Sequence, residues 1–195
     1  MENEGNLFRI LEREGLIGVK QQKKRSGYME TKEEISKFMW SNAEIVIKED
    51  GEHEPMAFYF GKEELTTLFL GKLFMNNKGK EFAEHIVRSV SKEFKPVVFV
   101  FVCGVWGKTV RTSSLEELKK IEEEIEKNGL SHAKDKIEYL MITIETTEET
   151  AVEVSEIKRG RDGKVLDVIR IEEMDQYRLE SGRFCNIVKP AGIVN

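Results

Sequence analysis

The stretch from Val97 to Arg111, VVFVFVCGVWGKTVR, gathers the residue types best suited to chemistry. Gly107-Lys108-Thr109 matches the end of a phosphate-binding loop. That motif needs a glycine, four residues, then Gly-Lys-Ser/Thr, between a strand and a helix. The glycines let backbone N–H groups converge on a phosphate, and the lysine and hydroxyl complete the cradle. Here Val102 stands where the first glycine belongs, and Gly104 comes two positions late. Val110-Arg111-Thr112 carries no helical stripe, and the next helix has its own start at Ser113. Gly104 and Gly107 therefore read as the exit of a strand from its sheet. Trp106, Lys108, Thr109 and Arg111 remain candidate binding residues, because sites tend to be built where strands end. Trp106 reads first as core and second as an exposed anchor.

Other reactive side chains are scattered. Cys103 would be a nucleophile only with a histidine distant in sequence, and a thiol closing an apolar run is expected to be inert core. His53, His85 and His132 lie far apart, with no ligand spacing between them, so no metal and no cofactor is expected. Glu49, Asp50, Glu52, His53 and Glu54 crowd one loop, an arrangement common at acidic hairpin tips. Glu84 and His85 sit beside the apolar stripe of one helix, and His132 with Asp135 falls in a loop entering a strand. None of these groups completes a catalytic set.

Composition narrows the classes further. The chain has 195 residues, 34% charged and 39% hydrophobic, enough for one domain with a sizeable core. A net charge of -5 argues against general attraction to nucleic acid or to an anionic membrane. The local exception is the run Lys20-Gln21-Gln22-Lys23-Lys24-Arg25, where Lys20, Lys23, Lys24 and Arg25 offer the alternative of phosphate contacts. Two cysteines in unrelated contexts suggest free thiols rather than a disulfide framework. The acidic start MENEGNLFRILEREG has no apolar signal core, and no window approaches the ~18 apolar residues of a membrane span. A cytoplasmic location is the expectation.

Periodicity assigns the elements that would hold these residues. Residues 1–43 read as a polar helical segment with a basic linker, and residues 44–195 as a single domain. Thr31 and Glu34 have capping-box spacing ahead of Ile35, Phe38 and Met39. Ile45 and Ile47 alternate with charge and Asp50-Gly51 signals a turn, which predicts a hairpin with the strand at Met56, Phe58 and Phe60. Leu65 to Phe74 is expected to be a third strand. Asn76 to Phe94 is the packed helix, with a stripe of Phe82, Ile86, Val87, Val90 and Phe94, although Gly79 suggests that its regular part starts late. Val97 to Cys103 is the central buried strand, apolar without interruption because both faces are covered. Leu115, Leu118, Ile121 and Ile125 stripe a charged surface helix that ends near Gly129. Ile137–Glu145, Ala151–Lys158 and Val165–Glu172 are strands, the last two joined through Gly160-Arg161-Asp162-Gly163. A late segment returns Phe184 to the body. Strands come in groups rather than alternating with helices, which gives an α+β fold with a largely antiparallel mixed sheet.

Several short motifs together resemble a group of small uncharacterised proteins encoded in bacterial and phage genomes. They are Met56-Ala57-Phe58-Tyr59-Phe60 after Glu54-Pro55, the valine-rich strand ending in Trp106, Glu138 in an alternating strand, Arg161-Asp162-Gly163, and Gly182-Arg183-Phe184. The likeness spans roughly residues 44–187. The chain departs from it where Cys103-Gly104-Val105 replaces an acidic step before Trp106, and in carrying an extra helix from Ser114 to Asn128. The resemblance implies one α+β domain and a phage or mobile-element context, and it transfers no catalytic residue. The expected function is a non-enzymatic domain that binds a protein partner and is a candidate homo-oligomer. The alternative is a small hydrolase or nucleotide-processing enzyme with a cleft near Cys103 to Lys108.

Overall fold

The structure is a computed structural model that describes residues 4–20, 31–62, 64–107, 114–128, 136–171, 184 and 187–188. Its elements, in chain order, are α1 (Glu4–Arg13), β1 (Ile17–Lys20), α2 (Lys32–Asp50), β2 (Met56–Phe60), β3 (Leu65–Phe69), a 3-10 turn (Gly71–Leu73), α3 (Asn77–Phe94), β4 (Val98–Gly107), α4 (Leu115–Asn128), β5 (Ile137–Thr146), β6 (Thr150–Arg159) and β7 (Val165–Arg170). The strands form one seven-stranded sheet in the order β1-β3-β2-β4-β5-β6-β7. Every pairing among the described residues is antiparallel, where a mixed sheet was expected. The fold is α+β.

β4 occupies the middle of the sheet, and its side chains alternate between two separate cores. Val98, Val100 and Val102 pack with Ile35, Met39, Ala43 and Ile47 of α2. Phe99, Phe101, Cys103 and Val105 pack with Ala83, Ile86, Val87 and Val90 of α3 and with Leu11 of α1. An uninterrupted apolar strand is what two covered faces require. Tyr59 of β2 adds a polar tie to the second core, its buried hydroxyl donating to the Val87 carbonyl at 3.0 Å. Phe184 also reaches that core, stacking on Phe101 with centroids 4.3 Å apart. Nearby, the Ser91 hydroxyl donates to the Ile187 carbonyl at 2.8 Å, and the Val188 N–H to Glu145 at 2.7 Å.

Several expectations are corrected. Residues 44–50 are not a strand: α2 runs unbroken to Asp50, through the boundary expected at residue 43. The capping box at Thr31 and Glu34 starts this helix, and Ile35, Met39, Ala43 and Ile47 recur every fourth residue on its buried face. Ile45 and Ile47 lie about 200° apart on a helix, which mimics strand alternation; Ile47 is 0% exposed and Ile45 53%. Asp50-Gly51 is the helix stop, with Gly51 at φ 82° and its N–H bonded to the Ile47 carbonyl. Residues 17–20 form an edge strand against β3 rather than part of a helical segment. β3 ends at Phe69, and the chain then tightens into the 3-10 turn.

α3 is regular from Asn77, so Gly79 does not delay it. A Cβ at Gly79 would sit 2.1 Å from the Leu73 carbonyl oxygen, so close approach explains that glycine. Phe82 and Phe38, expected on buried stripes, are exposed instead.

α2 is tied to the β5–β7 half of the sheet by polar contacts along its length. Lys32 pairs with Glu149 at 2.7 Å near its start. Midway, the Glu153 carboxylate of β6 accepts from Ser36 Oγ at 2.8 Å, from Trp40 Nε1, and from Arg170 of β7 at 3.2 Å. A buried carboxylate is tolerable only when its oxygens are supplied with donors in this way. The outer edge of β7 carries a related device. The Ile171 N–H donates to Val154, which places the amide of alternate residues such as Val168 on the side away from β6. The Asp167 carboxylate accepts that Val168 N–H at 2.9 Å.

Glu153→Ala leaves the Ser36 hydroxyl and the Trp40 N–H without this acceptor, and is expected to cost about 3 kcal/mol. Urea denaturation followed by tryptophan fluorescence measures it. A loss no larger than that of an exposed control such as Glu123→Ala would show that this contact is not a fastening point.

Candidate functional site around Trp106

The site arises from a mismatch in strand length. β2 pairs with β4 only from Val98 to Val102, whereas β5 follows β4 out to Gly107. The last residues of β4 therefore project past β2, next to the loop that leaves α2 at Gly51. Gly104 approaches that loop, and a Cβ there would lie 3.8 Å from the His53 carbonyl oxygen. Gly107 is required by packing on the other face: a Cβ there would lie 2.4 Å from the Tyr139 ring. Close approach within the sheet thus accounts for Gly107, whereas a Cβ at Gly104 would make only an ordinary contact. Gly107 is a strand residue paired with Ile137, and among the described residues the next helix begins at Leu115. That geometry is not that of a phosphate loop, in which the last glycine opens a helix.

Even-numbered residues of β4 face α2, so Trp106 lies on that face, beyond the helix C-terminus. It is 40% exposed rather than core. It lines an open recess of about 440 Å3 with Asp50, Gly51, Glu52, Glu138, Arg159 and Gly163. Glu138 lies directly across from Trp106 on β5. The Lys136 ammonium stands 4.3 Å from the centroid of the indole ring, a cation–π contact.

Arg159 fixes the floor of the recess. Its guanidinium grips Glu138 with two bonds, Nε at 2.6 Å and a terminal nitrogen at 2.7 Å. The remaining donors reach the Gly51 carbonyl at the end of α2, at 2.7 Å, and the Gly163 carbonyl in the β6–β7 turn, at 2.9 Å. A planar fork of donors is the side chain able to make such a junction. Plain strand alternation puts the side chain there, since Arg159 continues the series Glu153 and Ile157 that faces α2. The hydrogen bond to Glu138 is the main cause holding the guanidinium above its ordinary pKa, with the charges of Glu138 and Glu52 adding to it against partial desolvation.

The sequence candidates separate in space. Cys103 faces the α3 side, away from the recess, and burial pushes its thiol up to about 12, only partly offset by Lys80. It is a protonated core thiol. Lys108, Thr109, Arg111 and His132 lie outside the described residues, as do Lys23, Lys24 and Arg25; Lys20 ends β1. His85 is exposed on α3. His53 is buried beside the recess loop, with Nδ1 2.8 Å from the Glu54 carbonyl. Burial lowers its pKa despite that hydrogen bond, so the ring is neutral and Nδ1–H is the donor. Among the described residues lining the recess there is no hydroxyl, thiol or imidazole. It offers an aromatic face, carboxylates and a bonded guanidinium. Sequence reasoning did not assign Arg159 to the site, because its partners lie 21 and 108 residues away.

Arg159→Ala is expected to cost about 1 kcal/mol, since the junction is open to solvent, and Arg159→Lys to recover less than half, since an ammonium cannot bridge three acceptors; urea midpoints give both values. His53 sets a pH dependence. Its folded pKa lies below the usual 6.5, so below about pH 6.5 the unfolded chain binds the extra proton first and stability falls as pH drops through the folded value. His53→Gln should flatten the urea midpoint between about pH 7.5 and pH 5. An unchanged slope in the variant would assign the acid sensitivity elsewhere.

Compared with protein-family models, with curated proteins and with solved structures, the chain finds no match in any of the three.

Proposed function

We propose that the chain is a non-enzymatic binding domain that docks a protein partner through the recess at Trp106. The observation that carries this reading is a 40%-exposed tryptophan set in an open depression whose floor is fastened by Arg159. Tryptophan is the residue type most enriched among the anchors that dominate protein interfaces. A floor joined to β5, to α2 and to the β6–β7 turn keeps the ring presented, which lowers the ordering cost of association. The enzyme alternative loses its nucleophile, because the Cys103 thiol is buried and protonated on the opposite face. On the short motifs between residues 44 and 187 alone, we also propose an accessory role in a phage or mobile-element setting.

The test is affinity capture from an extract of the native host, with the intact chain and the Trp106→Ala variant run side by side. A partner retained by the intact chain and lost, about tenfold or more, by the variant is the expected result. Equal recovery by both, with circular dichroism showing both folded, would place the docking surface elsewhere.

A further inference from the structure

We infer that the partner segment seated on the Trp106 recess is basic, a lysine- or arginine-bearing peptide. This rests on the docking reading above and adds the chemistry of the occupant. Three carboxylates line the recess, Asp50, Glu52 and Glu138, against the Arg159 guanidinium and the Lys136 ammonium on the indole, so the balance stays acidic. Arg159 is already gripped by Glu138 through both oxygens. Asp50 and Glu52 are exposed and bracket Gly51, the cap of α2. The C-terminal end of a helix carries partial negative charge, which adds to theirs.

The aromatic face agrees with this sign. Indole attracts a cation through its quadrupole, and the structure shows it doing so, with the Lys136 ammonium 4.3 Å from the ring centroid. An incoming lysine or arginine would lay its apolar stem on the part of the indole that stays exposed beside Lys136 and bring its charge toward Asp50 and Glu52. An acidic segment, by contrast, would meet like charge at the helix end. A purely apolar segment would bury these carboxylates without a partner, which is costly.

The experiment uses the intact chain and a fluorescein-labelled nonapeptide of Lys, Arg, Gly and Ser, followed by anisotropy at about 25 mM salt. A glutamate-for-lysine/arginine version of the peptide is the control for charge sign. The expected result is saturable binding of the basic peptide only, weakening as salt rises to about 300 mM. Trp106→Ala should weaken binding by about fivefold to tenfold and Trp106→Phe by less, following the order of cation attraction by these rings. Asp50→Asn with Glu52→Gln should weaken it severalfold, whereas Glu123→Gln with Glu124→Gln on the exposed face of α4 should not. Binding that ignores Trp106, or that responds equally to the α4 pair, would reduce it to general attraction to an acidic protein and overturn the inference. Absence of binding at the lower salt concentration would overturn it too. If host capture still depends on Trp106, the docking reading survives and only the basic character fails.

Discussion

The fold depends on one constraint, the burial of β4 on both faces. A strand whose successive side chains are all apolar has no face to give to water. It must sit mid-sheet, and each side of that sheet must carry its own helical cover. α2 supplies one cover and α3 with α1 the other. Because the two cores meet only through the sheet, the register of β4 decides which valine or phenylalanine enters which core. A one-residue slip would exchange the sets. Valines line the side taken by α2, and phenylalanines the side taken by α3, so the exchange would leave voids in one core and overfill the other.

Fastening the α2 cover is left to polar contacts at chosen points. Lys32, Ser36 and Trp40 meet carboxylates of the β5–β6 region, and Gly51 meets Arg159. These bonds give the helix a fixed position along the strands, which greasy packing alone specifies less sharply. The recess inherits that precision, since its wall at Gly51 is the end of the same helix. Trp106 is thus presented by an extended strand on one side and by a positioned helix end on the other.

Features encoded by neighbouring residues were legible in the sequence. The capping box at Thr31, the helix at 115–128, the turn at Gly160–Gly163 and the buried run of β4 are all local signals, and the α+β class followed from their order. What was not legible was decided at a distance. The end of α2 was hidden because Ile45 and Ile47 satisfy two periodicities at once. β1 is only four residues long, and its partner β3 lies some fifty positions later, so no local pattern marks it. Trp106 was flagged by its place at a strand end, but its exposure depends on how far β2 extends beside β4. The junction at Arg159 depends on a carbonyl more than a hundred residues upstream, and a sequence shows no carbonyl as special.

The Asp167 side chain that closes on the Val168 amide has a consequence for life in a crowded solution. Among the described residues β7 is an outer strand, and it carries Leu166 and Ile169 in solvent, the kind of margin along which sheets of separate molecules zip together. Diverting one outward donor in the middle of a six-residue strand interrupts the row of bonds that such zipping would need. A carboxylate so placed leaves the apolar margin present but with one outward donor fewer for another chain to pair with.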